Sequence, residues 1–241
     1  MSTTRLAVAL DGPSGVGKST VGRGVARALG WRYVDTGATY RAATLAALRA
    51  GAELTDPDQV LAAVARASIT LTTDPAGPSV QLDGEDVSAE VRGAAVTAAV
   101  SAVSSVPAVR ALLVELQRAA AGDQGAVVDG RDIAQVVLPR AMVKIYLDAS
   151  PAVRAARRAG DTPPAGAQPG TADVPRQDVT AVAADLARRD HLDSTRTASP
   201  LRVAADAVHI DTDVLTAAEV VSLVLALVVD AGVELAAPAC G

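Results

Sequence analysis

Gly12-Pro13-Ser14-Gly15-Val16-Gly17-Lys18-Ser19 fits the pattern G-x-x-x-x-G-K-[ST]. Before it stands a short apolar run, Leu6 to Leu10, which ends at Asp11 and reads as a buried strand. After it come Val21, Val25, Ala28 and Leu29 at helical spacing, closed by Gly30. The glycines let successive backbone N–H groups turn inward on phosphate oxygens at the positive end of the helix that follows. In such a loop the lysine, here Lys18, reaches the terminal phosphates, and the hydroxyl of Ser19 faces a divalent cation. The ligand class implied is a nucleoside triphosphate, cradled by Gly12, Pro13, Ser14, Gly15, Val16, Gly17, Lys18, Ser19 and Thr20.

Working outward, Trp31 to Val34 reads as a second strand and Ala38 to Arg49 as a second helix ending at Gly51. Ala126 to Val128, Met142 to Leu147 and Ala207 to Ile210 are further short apolar runs, each followed by a carboxylate: Asp129, Asp148, Asp211. Helices are expected at Pro107 to Ala120, Pro151 to Arg158, Val179 to Arg189 and Ala217 to Val229. Strand alternating with helix over short connections predicts an α/β domain, a five-stranded parallel sheet flanked by helices. Two stretches break the rhythm. Ile69 to Thr72 and Val80 to Leu82, separated by Asp74-Pro75-Ala76-Gly77-Pro78, predict a small antiparallel insert. Gly160 to Pro175, rich in Pro, Gly, Ala, Thr and Asp without a period, predicts a mobile lid.

Composition narrows the classes. Of 241 residues, 50% are hydrophobic and 20% charged, which excludes a disordered chain. The uncharged apolar run Val220 to Val229 is too short for a membrane span, the N-terminus does not read as a signal peptide, and the lone Cys240 excludes disulfides and thiolate clusters. A cytoplasmic, monomeric protein is expected. A net charge of −5 argues against nucleic acid as partner. The absence of Asn excludes the N-K-x-D base-recognition box of guanine-specific switch proteins. Val127-Val128-Asp129 runs directly into Gly130-Arg131-Asp132, which suits an acceptor site more than a water-activating one. Lysine occurs only at 18 and 144, whereas arginine is plentiful, and guanidinium groups bind phosphate in a fixed fork. Together these features favour a small-molecule kinase.

The chain resembles the bacterial cytidylate kinases of the nucleoside monophosphate (NMP) kinase group. The blocks that carry the likeness are Asp11 to Ser19, Tyr33-Val34-Asp35-Thr36-Gly37-Ala38-Thr39-Tyr40-Arg41, Leu82 to Ser88, Val106 to Arg110, Asp129 to Ile133, Lys144 to Ser150, Arg189 to Leu201 and Ala205 to Thr212. The resemblance implies the P-loop NMP-kinase fold and one domain: core 1–67, 96–150 and 186–230, NMP-binding insert 68–95, lid 151–185 and a tail 231–241. It implies phosphoryl transfer from ATP, with Mg²⁺, to CMP and dCMP. Other base preferences, such as a UMP/CMP kinase, and a non-catalytic nucleotide-binding module are the alternatives.

By matching positions, the resemblance places Ser101, Arg110 and Asp132 at the cytosine edge. Thr36, Arg41, Arg131 and Arg196 hold the CMP phosphate, and Arg189 with Asp193 takes the ribose. Arg154, Arg157 and Arg158 are the lid arginines near the transferred group. The catalytic set is then Lys18, Arg131, Arg157, Arg158 and Arg196, with Ser19 on Mg²⁺ and Asp129 or Asp35 behind it through water. Three features depart from the family pattern: Thr39 stands for Met, Ala134-Gln135 for Gly-Thr, and the 160–175 stretch is long and proline-rich. The second departure predicts a changed backbone turn after Asp132, because Ala resists positive φ.

Overall fold

The computed structural model describes residues 6–160, 179–195 and 201–234. Its central strand is β1 (Ala7–Asp11), buried at every position. Small and branched apolar residues without alternation suit a strand covered on both faces. Two parallel neighbours flank it, β6 (Ala126–Gly130) and β7 (Val143–Asp148). With β2 (Arg32–Asp35) and β8 (Val208–Asp211) at the edges, the order is β2-β6-β1-β7-β8, the expected five parallel strands. One face packs Val8, Leu10, Val127, Ile145 and Leu147 with α1 (Lys18–Leu29) and α8 (Ala217–Asp230). The other packs Ala7, Ala9, Val34 and Val128 against Val114 and Ala121 of α5 (Pro107–Ala121).

A second core lies beside the sheet. It joins α2 (Thr36–Arg49), α3 (Pro57–Arg66), α4 (Ala94–Ser105) and α5 to a three-stranded antiparallel sheet, β3 (Ile69–Thr72), β4 (Ser79–Leu82) and β5 (Glu85–Asp86). The expected insert is thus a sheet with its own helical backing. Asp83 and Gly84 both take positive φ, 53° and 85°, as a two-residue hairpin turn requires. Helices α3 and α4 were not anticipated. The signals for α3 were present, Asp56 capping two N–H groups and Pro57 opening the helix. In α4 alanines surround the helix and blur the pattern, although Val96, Val100 and Val103 recur at helical spacing and form its buried face.

Two further helices follow the sheet's C-terminal edge, α6 (Pro151–Ala159) and α7 (Val179–Thr195). Arg196, Cys240 and most of the expected lid loop lie outside the described residues. Ala134 adopts no positive φ; Ile133–Val137 forms one π-helical turn instead, so the Ala-Gln departure costs no backbone strain. Every strand–helix connection at the C-terminal edge of the sheet, after β1, β2, β6, β7 and β8, carries a residue singled out from sequence or stands beside one. That edge is where ligands bind in open α/β sheets.

The tightest of these connections is at Gly12, with φ 148°. A Cβ there would collide with the carbonyl oxygen of Leu147 on β7. Gly12→Ala is therefore expected to lower the unfolding free energy by about 3 kcal/mol through strain and overlap. Gly77, in the β3–β4 loop with open space around it, is the control. Gly77→Ala should shift the urea midpoint by less than about 0.5 kcal/mol equivalent.

Candidate active site

The phosphate loop is anchored from below by Val16, which is buried in the core. Gly15 and Gly17 take φ of 85° and 94°, turning their peptides inward. Gly17 is also the N-cap of α1 and has no side chain to occupy the first-turn N–H groups, so these remain for an anion. Lys18 is buried, its Nζ donating to the carbonyls of Gly12 (2.9 Å) and Pro13 (2.7 Å). Burial, then the positive charge of Arg131, pulls the Lys18 ammonium well below its ordinary value.

Arg131 stands at the end of β6 and donates from Nε to Asp193 on α7 (3.0 Å). Arg41, on α2, donates to the carbonyl of Val91 (3.0 Å) and to Thr97 Oγ1 (2.9 Å). Its pKa is lowered to about 10 by burial first, then by the charges of Arg189 and Arg158. Arg189 is lowered by burial and by Arg131. Lys18, Arg41, Arg131, Arg158 and Arg189 are thus gathered from five separate stretches of chain into one field of mutual repulsion, which an anion would relieve.

Carboxylates make the complementary cluster. Asp129 accepts from Ser19 Oγ (3.0 Å) and from Tyr33 Oη (3.1 Å). Burial, then the charge of Asp35, raises its pKa well above the usual carboxylate range. Asp35 caps α2 by accepting from Ala38 N–H (3.0 Å). Ser19, Asp129 and Asp35 form a hard-oxygen set suited to Mg²⁺, and the Asp129–Asp35 repulsion is what a cation there would remove. Among the described residues no three His, Cys, Asp or Glu side chains converge as a self-sufficient metal site.

At the far end of the cleft Arg110 on α5 pairs with Asp132, both about 5% exposed. The guanidinium lies over the ring of Tyr40, 5.1 Å from its centroid, and donates from Nη1 to the carbonyl of Ser104 (3.3 Å). Ser101 sits one turn earlier on α4, its carbonyl accepting from Ser104 Oγ (3.2 Å). Among the described residues Arg110 Nε is buried without a hydrogen-bond partner, so the pair retains one unused donor.

The profile of the cytidylate kinase family matches residues 8–230. The chain belongs to the cytidylate kinase family. It is 57% identical to a cytidylate kinase of Nocardia farcinica over 219 residues, which is 90% of this chain and 91% of that protein. It is 55% identical to one of Rhodococcus opacus over 229 residues, 95% and 96% of the two chains. A solved gluconokinase from Sinorhizobium meliloti 1021 aligns over 95% of this chain and 94% of its own, at TM-score 0.42 and 15% identity, too distant to add to the assignment.

Several side chains of this protein are committed differently from what the motif positions suggest. The Thr36 hydroxyl donates to the carbonyl of Asp129 (2.7 Å), so in this arrangement its proton does not face the cleft. Arg154 is consumed by the carbonyls of Ala149 (3.1 Å) and Ser14 (3.3 Å) and by Asp190, bracing the phosphate loop from behind. Arg157 donates to Thr212 Oγ1 (2.9 Å) and to the Thr212 carbonyl. Asp193 pairs with Arg131.

One residue that reading by motif missed is Asp11. Its carboxylate accepts from the backbone N–H groups of Ile133 (2.8 Å) and Ala134 (2.9 Å), which fixes the Gly130-Arg131-Asp132 turn to the end of β1. The sequence signal was an acidic residue closing a fully apolar strand. Burial raises its pKa from 3.8 to about 6, against the lowering effect of those two N–H groups. Below its unfolded value both states are protonated and nothing is lost. Between about pH 4 and 6 the unfolded chain releases the proton first, so stability falls as pH rises, by up to about 3 kcal/mol. Subtracting the Asp11→Asn unfolding free energy from that of the parent should expose this falling limb. A difference that is flat or rises from pH 4 to 7 would contradict the burial-dominated shift.

Proposed function

We propose that the loop at Gly12–Ser19 and the arginine cluster beside it transfer the γ-phosphoryl group of ATP to CMP and dCMP. The observation that carries this reading is that the loop and the Gly130-Arg131-Asp132 turn are side by side, with Ser19 Oγ donating to Asp129 (3.0 Å) and Asp11 opposite Gly130 in the strand pair. The donor loop and the acceptor turn share one site, which lets one transferring group be neutralised from both sides.

The acceptor oxygen of a nucleoside monophosphate is already ionised, so no general base is required. Catalysis is then in-line positioning and charge neutralisation. In this scheme Lys18 leaves the carbonyls of Gly12 and Pro13 for the donor's phosphates. Thr20 and the loop's N–H groups hold the donor. Arg41 and Arg131 hold the acceptor phosphate, joined by Arg196, with Arg157 and Arg158 closing over the transferred group. Arg189 and Asp193 take the ribose. Mg²⁺ bound with ATP would be held by Ser19, with Asp129 or Asp35 behind it, and would offset charge on the donor phosphates.

Base choice follows from the buried Arg110–Asp132 pair. Cytosine offers an exocyclic amine to the carboxylate and a carbonyl with a ring nitrogen to the guanidinium and to Ser101. Uracil presents an acceptor where Asp132 also accepts, leaving both unmatched in a dry pocket, which such sites reject strongly. No single helix among the described residues is long and apolar enough to cross a membrane. A monomer working in the cytoplasm accords with small soluble substrates.

An ATP-coupled assay with CMP, dCMP, UMP and AMP, and with no acceptor, tests the reading. CMP and dCMP should turn over well above UMP and AMP, with little hydrolysis in the blank. Preference for UMP or AMP would overturn the cytosine contacts, and hydrolysis alone would favour a nucleotide-binding module. Arg131→Ala should lower kcat/KM for CMP by about 100-fold, as loss of a charge-neutralising group does. Its ATP affinity in a nucleotide-displacement titration should stay within about threefold; an equal loss of ATP affinity would remove the division of roles.

A further inference from the structure

Three nearly inaccessible polar side chains outside the reacting groups form one directed relay. Gln117 of α5 is 1% exposed, Thr39 of α2 is 0% and Thr36 is 3%. Gln117 Nε2 donates to Thr39 Oγ1 (2.8 Å), and Thr39 Oγ1 donates to the Thr36 carbonyl (2.7 Å). Thr36 Oγ1 in turn donates to the Asp129 carbonyl on β6 (2.7 Å). Each hydroxyl has a single proton, and both protons are assigned by carbonyls that can only accept. Thr39 therefore presents lone pairs to Gln117, and the direction of the relay is fixed.

The relay joins α5, α2 and β6; α2 and α5 otherwise meet mainly through apolar side chains such as Leu45 and Leu113 and through the Tyr40–Arg110 contact. Next to Asp129, Gly130 leaves the room it needs: a Cβ there would lie 2.5 Å from Thr36 Oγ1. Directly after Thr39 come Tyr40, under the Arg110 guanidinium, and Arg41 of the cation cluster. Gln117 is also seven residues, two helical turns, beyond Arg110 on the same buried face of α5. One face of α5 thus grips Asp132 at one end and the first turn of α2 at the other. An apolar pair would fill this space at lower desolvation cost, but it would fix neither the rotation nor the height of α2.

We propose that Gln117, which touches no reacting atom, is a positioning residue for the acceptor site: through Thr39 and Thr36 it holds α2 in the register that places Arg41 and Tyr40. The inference rests on the reading of Arg41 and Arg110 as acceptor-side groups.

Steady-state kinetics of the full chain tests it with Gln117→Met, which keeps the volume, Thr39→Val, which exchanges one hydroxyl for a methyl, their double variant, and Arg41→Met. Gln117→Met should raise the KM for CMP about fivefold, the range expected for one lost buried hydrogen bond, with kcat and the KM for ATP within about twofold. Thr39→Val should do the same, and it supplies the readout if Gln117→Met does not accumulate. The double variant should be no worse than the poorer single variant, since both cut one relay. An unchanged CMP KM in Gln117→Met and Thr39→Val, with a raised one in Arg41→Met, overturns the positioning role alone. Equal rises in the KM for ATP and for CMP overturn it too, because they report general loosening of the fold. An unchanged CMP KM in Arg41→Met removes the acceptor reading itself, and the inference with it.

Discussion

At the end of β1 the chain leaves a strand with no water on either face and must supply both a phosphate loop and an anchor for the acceptor turn. Asp11 meets the second demand. Its carboxylate spans from the central strand to the backbone N–H groups of Ile133 and Ala134, where it holds the head of a π-helical turn. Because β1 and β6 are in register with Asp11 opposite Gly130, the carboxylate lies beside the turn it fixes. Arg131 and Asp132 hang from that turn, one toward the cations and one toward Arg110. The loop after β1 and the turn after β6, proposed for donor and acceptor, are therefore held together by hydrogen bonds across one strand pair.

Charge is distributed on that support in two opposed clusters. The cations repel one another at close quarters: Arg131 acts on Lys18 and on Arg189, while Arg158 and Arg189 act on Arg41. The carboxylates Asp129 and Asp35 do likewise beside Ser19. Such arrangements cost folding energy and are kept where a ligand of opposite sign is the missing partner. On the proposed reading, ATP with a divalent cation would be that partner in both signs at once. The strain in the free protein and the chemistry of the proposed reaction would then have one origin, the crowding of like charges.

Buried hydrogen bonds set the geometry that the charges need. Arg110 and Gln117 lie on one face of α5; the first pairs with Asp132, and the second starts the relay through Thr39 and Thr36 that reaches β6. Arg154 acts similarly behind the phosphate loop, where it joins Ser14, Ala149 and Asp190. Apolar packing alone would let these helices slide by fractions of an ångström with little penalty. Directional bonds in a dry interior do not allow that.

The sequence by itself determined the sheet, because buried parallel strands leave uninterrupted apolar runs, and the donor loop, because a phosphate cradle needs glycine at set spacing. The residues proposed to hold cytosine and phosphate were legible only as arginines and acids within short blocks such as Gly130-Arg131-Asp132 and Tyr40-Arg41. Tertiary structure decided which of them meet: Arg110 with Asp132 across 22 residues, Arg131 with Asp193 across 62, Asp11 with Ala134 across 123. It also decided what periodicity could not show. Gln117 reads in sequence as one more polar residue of an amphipathic helix. Local patterns record which face of an element is dry, because burial repeats with the backbone's own period. Which polar groups find each other inside depends on contacts between elements distant in the chain, and no period of one element records those.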